Sequence, residues 1–305
     1  MKINVRYYKT AGITVQVNSD FQMTENTFHP KFKLFQVNGP GKETIVINHH
    51  FHSPNLFENS NLIENEIYNK DPWQIFKTKD LWIYKYTPSL TETSGYPVIG
   101  VFNNDHTAIK IYAPGIDETR YKKSRFNALT LFNSDQILFS KLLCERKGLI
   151  LHSNGFDISG NGILLTGKSG AGKSTLSNML KNKGFTILCD DRMFIRQKEA
   201  FYIYGSWCHG TVPDVSANFA PLKAIFFLEQ SKYNLIQKIN NKNEIFQKLI
   251  TSVVRPFLGR EEWNLTLKTL EALVNSTKCY IIKFDLSGKI CDLISELFNN
   301  DKNVG

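Results

Sequence analysis

Short runs in which apolar and polar residues alternate dominate the first third of the chain. Clusters of Gly, Pro, Asn and Asp separate these runs, which is typical of strands joined by hairpin connections. Strands are predicted at residues 2–8, 12–17, 44–48, 81–86, 97–102 and 107–112. No long helical pattern precedes Asn133. Residues 1–130 are therefore predicted to form a mostly antiparallel β domain.

From residue 131 onward, helical patterns alternate with buried apolar runs. Residues 134–147 carry apolar residues at helical spacing behind a Ser-Asp start signal. Further helices are predicted at residues 174–183, 242–254, 259–276 and 288–299, and strands at residues 148–153, 162–166, 185–189, 201–205, 222–229 and 278–285. This alternation is typical of an α/β domain, which is assigned to residues 131–305.

The stretch GKSGAGKS lies between the strand at 162–166 and the helix at 174–183 and fits the phosphate-loop pattern G-x-x-x-x-G-K-[ST]. The alternative is a chance Gly/Ser loop, but the flanking elements match a genuine site. Its glycines permit backbone turns, and its N–H groups form an anion cradle with the helix N-terminus. The residues predicted to contact nucleotide are Gly167, Ser169, Gly170, Ala171, Gly172, Lys173, Ser174 and Thr175.

Two aspartates end the apolar run FTILC, and a nucleotide site needs a metal-binding carboxylate at such a position. One of Asp190 and Asp191 can serve Mg²⁺ while the other accepts a proton from an attacking hydroxyl. The alternative is that one of them caps a turn. The sixteen residues from Ser174 to Asp190 leave room for one helix, and the chain has no NKxD or LSGGQ motif. A switch-type GTPase and an ABC ATPase are therefore disfavoured.

The segment LHSNGFDISGNGILLTGKSGAGKSTLSNMLKNKGFTILCDDRMFIR resembles the catalytic core of HPr kinase/phosphorylase. That family shares its core with ATP-dependent phosphoenolpyruvate carboxykinase. The resemblance is specific over residues 148–197 and looser over 198–300, where GSWCHG and APLKAIFFLEQ look like HPr kinase-related proteins of peptide-modification systems. It implies an α/β, P-loop-containing, HPr kinase/phosphoenolpyruvate carboxykinase-like C-terminal domain. Residues 1–130 do not resemble the family's regulatory domain.

The resemblance also implies a role for each matching residue. Lys173 matches the phosphate-binding lysine, and Ser174 and Asp191 match the metal-associated residues. Asp190 matches the base toward a serine hydroxyl, and His152 matches a histidine beside the transferred phosphate. The residues alone leave open whether His152, in the apolar run LILHS, is a satisfied core histidine.

Two features differ from the parent family. Thr175 stands where that family has an acidic residue, and the GLGIIN-type segment tied to phosphate removal is absent. The resemblance therefore implies the kinase reaction, and it leaves phosphorylase activity and the acceptor unassigned. The segment 205–210, GSWCHG, fits either an acceptor-binding loop or a turn packed on the core. Arg255 fits either a phosphate contact or a pair with a carboxylate.

The histidines His49, His50 and His52 invite a metal-site interpretation, but no carboxylate or cysteine partner accompanies them in the sequence. A surface turn is predicted there. The five cysteines are widely spaced without a CxxC pair, which argues against a disulfide framework or a zinc site.

Charge and hydropathy restrict the partners and the location. The net charge is +9, but the lysines are scattered and form no basic helix, so no specific nucleic-acid binding is expected. No apolar run approaches the roughly 18 residues of a membrane span. MKINVRYYKT lacks the apolar centre of a signal peptide, and a cytoplasmic protein is expected.

The predicted function is that of an ATP- and Mg²⁺-dependent kinase that phosphorylates a hydroxyl, that of serine in a peptide or protein. Two alternatives stay open: a nucleotide-binding regulatory or assembly protein that transfers no phosphate, and a small-molecule kinase. By analogy with related kinases, assembly into homo-oligomers is expected.

Overall fold

The computed structural model describes residues 4–54, 65–88, 96–168, 170–208, 214–255 and 259–300. The chain divides into two compact units, Met1–Leu138 and Phe139–Gly305. Within the described ranges, no helix is both long enough and apolar enough to cross a membrane.

The first unit is built on a mixed sheet with the order β3-β1-β2-β4-β9-β8-β7-β6-β5. The strands are β1 (Asn4–Thr10), β2 (Ile13–Ser19), β3 (Gln36–Val37), β4 (Thr44–His50), β5 (Glu66–Lys70), β6 (Trp73–Lys77), β7 (Leu81–Tyr86), β8 (Val98–Asn103) and β9 (Ala108–Tyr112). A 3-10 helix (Pro30–Phe35) and the short helix α1 (Glu118–Lys123) accompany the sheet. The β2–β4 and β4–β9 pairs are parallel, and the other described pairs are antiparallel.

The strand β4 shows that the surface turn predicted for the histidine cluster is wrong. β4 lies between β2 and β9, and every second residue along it is buried, so that Ile45, Ile47 and His49 share one face. The ring of His49 is fully buried and is held by Tyr121 Oη and the Leu129 carbonyl oxygen, each at 2.8 Å. The alternation typical of a strand continues through His49 and His50, although the polar residue types there suggested a turn.

The exposed face of the same segment carries the carboxylate that the sequence did not reveal. His50 Nδ1 lies 3.0 Å from Asp20 Oδ2, and the rings of His50 and His52 pack against Tyr112. Across the described part of the chain, no group of three or more His, Cys, Asp or Glu side chains is arranged to hold a metal ion.

The second unit contains helices on both faces of a second sheet. Its helices are α2 (Gln136–Cys144), which begins in the first unit, α3 (Lys173–Asn182), α4 (Lys242–Ile250), α5 (Arg260–Ser276) and α6 (Lys289–Asn300). Its strands are β10 (Gly148–His152), β11 (Asn154–Ile158), β12 (Asn161–Thr166), β13 (Thr186–Cys189), β14 (Arg192–Gln197), β15 (Phe201–Tyr204), β16 (Phe219–Gln230), β17 (Leu235–Ile239) and β18 (Lys278–Phe284). The mixed α/β architecture predicted for this region is confirmed.

The long strand β16 organises this sheet. Its first residues pair antiparallel with β15, and the rest runs parallel to β12 on one side and to β18 on the other. The carboxyl ends of β12, β16 and β18 therefore open at the same edge of the sheet. Ligands of open α/β sheets bind outside the carboxyl ends of the strands, and the phosphate loop leaves β12 at this edge.

Alternate residues of β16 supply two separate cores. Ile225 and Phe227 pack with α4 and α5, whereas Phe226 and Leu228 pack with α3 and α6. A strand buried on both faces needs a near-continuous apolar run, which is what KAIFFLEQ provides in its centre. Both cores hold the three parallel strands rigidly beneath the phosphate loop.

Three strands of this unit were not predicted as separate elements. β11 forms a hairpin with β12, β14 follows the aspartate pair and lies between β10 and β15, and β17 pairs with the end strand β18. The helix predicted at 242–254 ends earlier, as α4, because Val253 forms an antiparallel bridge with Leu151 of β10. Cys189 is a fully buried free thiol.

Candidate functional site

The phosphate loop runs from the end of β12 to the first residue of α3. Gly170 and Gly172 have φ values of 78° and 95°, in the left-handed region that glycine adopts most easily. Gly167 is needed for space, because a Cβ there would lie 3.1 Å from the Ala171 Cβ. Ser169 lies outside the described residues.

Lys173 folds back over the loop. Its ammonium donates a hydrogen bond to the Gly167 carbonyl oxygen at 2.9 Å. Partial burial lowers the pKa of Lys173, and the nearby Asp191 carboxylate opposes that change. Lys173 and Asp191 are therefore within electrostatic reach of each other, and Ser174 and Thr175 lie exposed in the first turn of α3.

His152, Asp191 and Arg192 form a charged cluster near the loop. His152 and Arg192 stand directly opposite each other in the β10–β14 pair, and residues opposite each other in a sheet share a face. His152 Nδ1 lies 2.9 Å from Asp191 Oδ1, and Arg192 Nη1 lies 2.6 Å from the same oxygen. Arg192 also donates a hydrogen bond to His152 Nδ1.

The ring nitrogen His152 Nδ1 cannot serve both neighbours in one tautomer. Protonated, it donates to Asp191; unprotonated, it accepts from Arg192. Burial alone would raise the pKa of Asp191, but the hydrogen bond from His152 and the charge of Arg192 outweigh burial and lower it. Asp191 is therefore a carboxylate at neutral pH.

The oxygen atoms at the site suit a magnesium ion. Mg²⁺ prefers hydroxyl and carboxylate oxygens and usually takes only one or two protein ligands beside substrate phosphates. Ser174 and Asp191 carry oxygen atoms of these two kinds, and their role as Mg²⁺ ligands stays a prediction. Asp190 follows β13 and is partly buried.

The end of α4 braces both strands that carry site residues. The backbone N–H of His152 donates to the Ser252 carbonyl oxygen at 2.7 Å, and Ser252 Oγ lies 2.9 Å from Thr166 Oγ1. Thr166 is the last residue of β12 before the loop. The relative position of His152 and the phosphate loop is therefore fixed through Ser252.

A cleft of about 930 Å³ lies between the phosphate loop, His152 and α4. One wall is formed by Gly167, Lys168, Gly170 and Ala171, and the opposite wall is formed by Gln247, Lys248 and Thr251. His152 borders this cleft and its side chain is 43% exposed, so it is not a core histidine.

Three residues of the site were not assigned by the sequence. Arg192 carried a usable signal, because it directly follows the aspartate pair. Ser252 and Lys248 lie on or after α4, far along the chain from the loop, and no local pattern marks them.

The described part of GSWCHG is a turn packed on the core. Trp207 is fully buried against Phe139, with ring centroids 5.3 Å apart. Ser206 Oγ donates to the Arg192 carbonyl oxygen at 2.7 Å and accepts from the Cys208 N–H. The turn therefore supports the backbone of Arg192. His209 and Gly210 lie outside the described residues.

Arg255 makes a different contact from either predicted one. Its guanidinium lies over the ring of Trp263, 4.7 Å from the centroid, which is a cation–π contact. This contact belongs to the start of α5 and lies apart from the cleft residues.

Comparison with known proteins shows which proteins this region resembles. The HPr Serine kinase C-terminal domain family matches residues 145–252. An HPr kinase/phosphorylase of Streptococcus salivarius is 26% identical over 152 residues, covering 46% of this chain and 48% of the relative. One of Clostridium botulinum strain Alaska E43 is 28% identical over 148 residues, covering 44% and 46%. The chain thus spans about half the length of these curated relatives.

A solved structure, the Hpr(Ser) kinase/phosphatase from Coxiella burnetii, matches with 17% identity and a TM-score of 0.30. The match covers 50% of this chain and 95% of that one. Over residues 145–252, which carry the phosphate loop and the aspartate pair, the family match and the curated relatives show that the chain is HPr kinase-like.

Proposed function

We propose that the chain is an ATP- and Mg²⁺-dependent kinase that phosphorylates a hydroxyl group, that of a serine in a peptide or protein. One observation carries the proposal: the phosphate loop and His152, whose ring contacts Asp191 and Arg192, border one cleft. The relatives named HPr kinase/phosphorylase support a protein acceptor.

The loop side of the cleft would hold the triphosphate. The loop amides and the N-terminus of α3 would bind its oxygens, and Lys173 would release the Gly167 carbonyl to contact the β- and γ-phosphates. Ser174 and Asp191 would hold Mg²⁺, which neutralises charge on the phosphates when bound.

The side of the site that carries His152 and the aspartate pair would take the acceptor. Asp190 accepts the proton of the acceptor hydroxyl as its oxygen bonds to the γ-phosphorus, and the bond from the γ-phosphorus to the β,γ-bridging oxygen breaks to release ADP. Arg192 and His152 flank the transferred group and stabilise its negative charge. Arg192 is positioned for this by Ser206 and Asp191.

Nucleotide binding is tested by thermal unfolding with millimolar Mg²⁺-ATP. Ligand that binds only the folded protein stabilises it by about 2.7 kcal/mol at 100 times its Kd. Wild type should gain stability and Lys173→Ala should not. Lys181→Ala is the matched control, because Lys181 also lies on α3 but is exposed and paired with Asp214 at 2.8 Å. An unchanged wild-type melting curve contradicts the proposal.

Phosphoryl transfer is tested with labelled ATP, Mg²⁺ and panels of serine peptides and small alcohols, followed by mass analysis. A phosphorylated peptide supports the proposal. A phosphorylated alcohol alone assigns a small-molecule kinase. Stabilisation by ATP without acceptor-dependent turnover assigns a nucleotide-binding regulatory protein. Gel filtration of the same sample tests the proposed homo-oligomer.

A further inference from the structure

A second cleft, of about 470 Å³, lies beside the phosphate loop. It is bordered by Gly172 and Thr175 at the start of α3, by Gln230 at the end of β16, and by Phe284 and Leu286 at the end of β18. Phe284 is buried directly beneath Gly172, where a Cβ would approach its ring to 2.8 Å. Leu286, in contrast, is 79% exposed.

The position of the charged cluster decides which part of a nucleotide enters this cleft. The transferred phosphate must face His152, which borders the other cleft and contacts Asp191. The triphosphate then follows the loop towards the first turn of α3, and the rest of the nucleotide leaves past Thr175. The space available there is the cleft at the carboxyl ends of β16 and β18.

We propose that this second cleft holds the nucleoside, with the base lying against Leu286 and without recognition of the base edge. This inference rests on the proposed function and adds a statement about specificity to it. Nucleotides of adenine, guanine, cytosine and uracil should all bind at the site. An exposed leucine side chain offers apolar contact to the face of any base, and it does not distinguish among them.

Two polar residues that line the cleft, Gln230 and Asp285, are already engaged in hydrogen bonds within the protein. Gln230 Nε2 donates to the Gly170 carbonyl oxygen at 2.7 Å. Asp285 Oδ1 accepts from Ser287 N at 2.9 Å and from Ser287 Oγ, and the Asp285 N–H donates to Asn234 Oδ1 at 3.2 Å. Reading a base edge with these groups would break existing hydrogen bonds, so it yields little net selectivity.

The test measures the Kd values of ATP, GTP, CTP, UTP and inorganic tripolyphosphate, all with Mg²⁺, for the whole chain. The four nucleotides should agree within about fivefold, and tripolyphosphate should bind at least about tenfold more weakly. Leu286→Trp should tighten all four nucleotides by about fivefold or more, because a base stacks well on an aromatic ring, and should leave tripolyphosphate unchanged. Such a gain of affinity cannot arise from misfolding.

Leu265→Trp is the control, since Leu265 is also exposed but lies on α5. A preference for ATP above about twentyfold over the other three nucleotides overturns the inference, because the base edge is then recognised. Equal effects of Leu286→Trp on nucleotides and tripolyphosphate, or no effect on either, place the nucleoside elsewhere. If neither nucleotides nor tripolyphosphate bind wild type, the proposed function fails and this inference fails with it.

Discussion

Lowering the pH from about 7.5 to about 5 should destabilise the N-terminal unit by about 2 kcal/mol through His49 alone. The Leu129 carbonyl can only accept, so His49 Nε2 carries the proton and Nδ1 accepts from Tyr121 Oη. The neutral ring is therefore satisfied at both nitrogens. Complete burial lowers its pKa from 6.5 to about 4.

The sign and size of this loss of stability follow from the difference between the pKa of His49 in the unfolded and in the folded chain. In the unfolded chain the imidazole gains a proton as the pH falls below 6.5, while the folded protein keeps it neutral down to about pH 4. The unfolded state binds more protons in this range, so stability is fully present above 6.5 and is lost as the pH falls. The full difference corresponds to about 3 kcal/mol, of which about 2 is lost by about pH 5.

The assay is hydrogen exchange of β4 and β9 amides across a urea series at both pH values, which reports on the first unit separately. His49→Gln removes the titration and preserves both hydrogen bonds, because its amide can donate to Leu129 and accept from Tyr121. The pH-dependent loss of stability should shrink by about 2 kcal/mol in this variant. The exposed His52, replaced by Gln, controls for loss of an imidazole. If His49→Gln loses as much stability as wild type between the two pH values, the reasoning is refuted.

Three further predictions concern the second unit and the net charge. Gly170→Ala should lower the free energy of unfolding by about 1 kcal/mol through backbone strain, and Gly172→Ala should lower it distinctly more, because its Cβ also meets the Phe284 ring. Equal shifts in Tm for the two variants would show that the contact with Phe284 is unimportant. Asp190→Asn should keep nucleotide binding and lower single-turnover phosphoryl transfer by about 10²–10⁴, whereas Asp191→Asn should also weaken Mg²⁺-dependent binding; exchanged phenotypes would reverse the two roles. Any DNA or RNA binding should disappear by about 200 mM salt in a gel shift, and a sequence-specific complex that persists there would contradict this.

The phosphate loop and its flanking elements could be predicted from the sequence because their chemistry is local. Gly170 and Gly172 must adopt left-handed conformations, Lys173 must start a helix, and an apolar strand must precede them. Each of these requirements concerns neighbouring residues. The same holds for the aspartate pair at the end of β13.

The burial of His49 was not predictable from residue type. His49 lies two residues after Ile47 and four after Ile45, so the three side chains share one face of the strand. Residue type alone does not show whether that face is buried, because a histidine is also compatible with an exposed face of an edge strand. Only the placement of β4 between β2 and β9 buries it. The two parallel pairings that create this placement join strands far apart in sequence, through loops that carry no register signal.

The sequence by itself determined a nucleotide-type loop, a carboxylate pair and their order along an α/β chain. Tertiary structure alone decided that Arg192 lies opposite His152, that Ser252 ties both strands together, and that Leu286 borders a second cleft. The physical reason is that these contacts join residues from about 40 to more than 100 positions apart, and their geometry is set by strand pairing and by packing on both faces of β16. Local propensity acts over a few residues, whereas pairing register and burial arise only when the sheet is assembled.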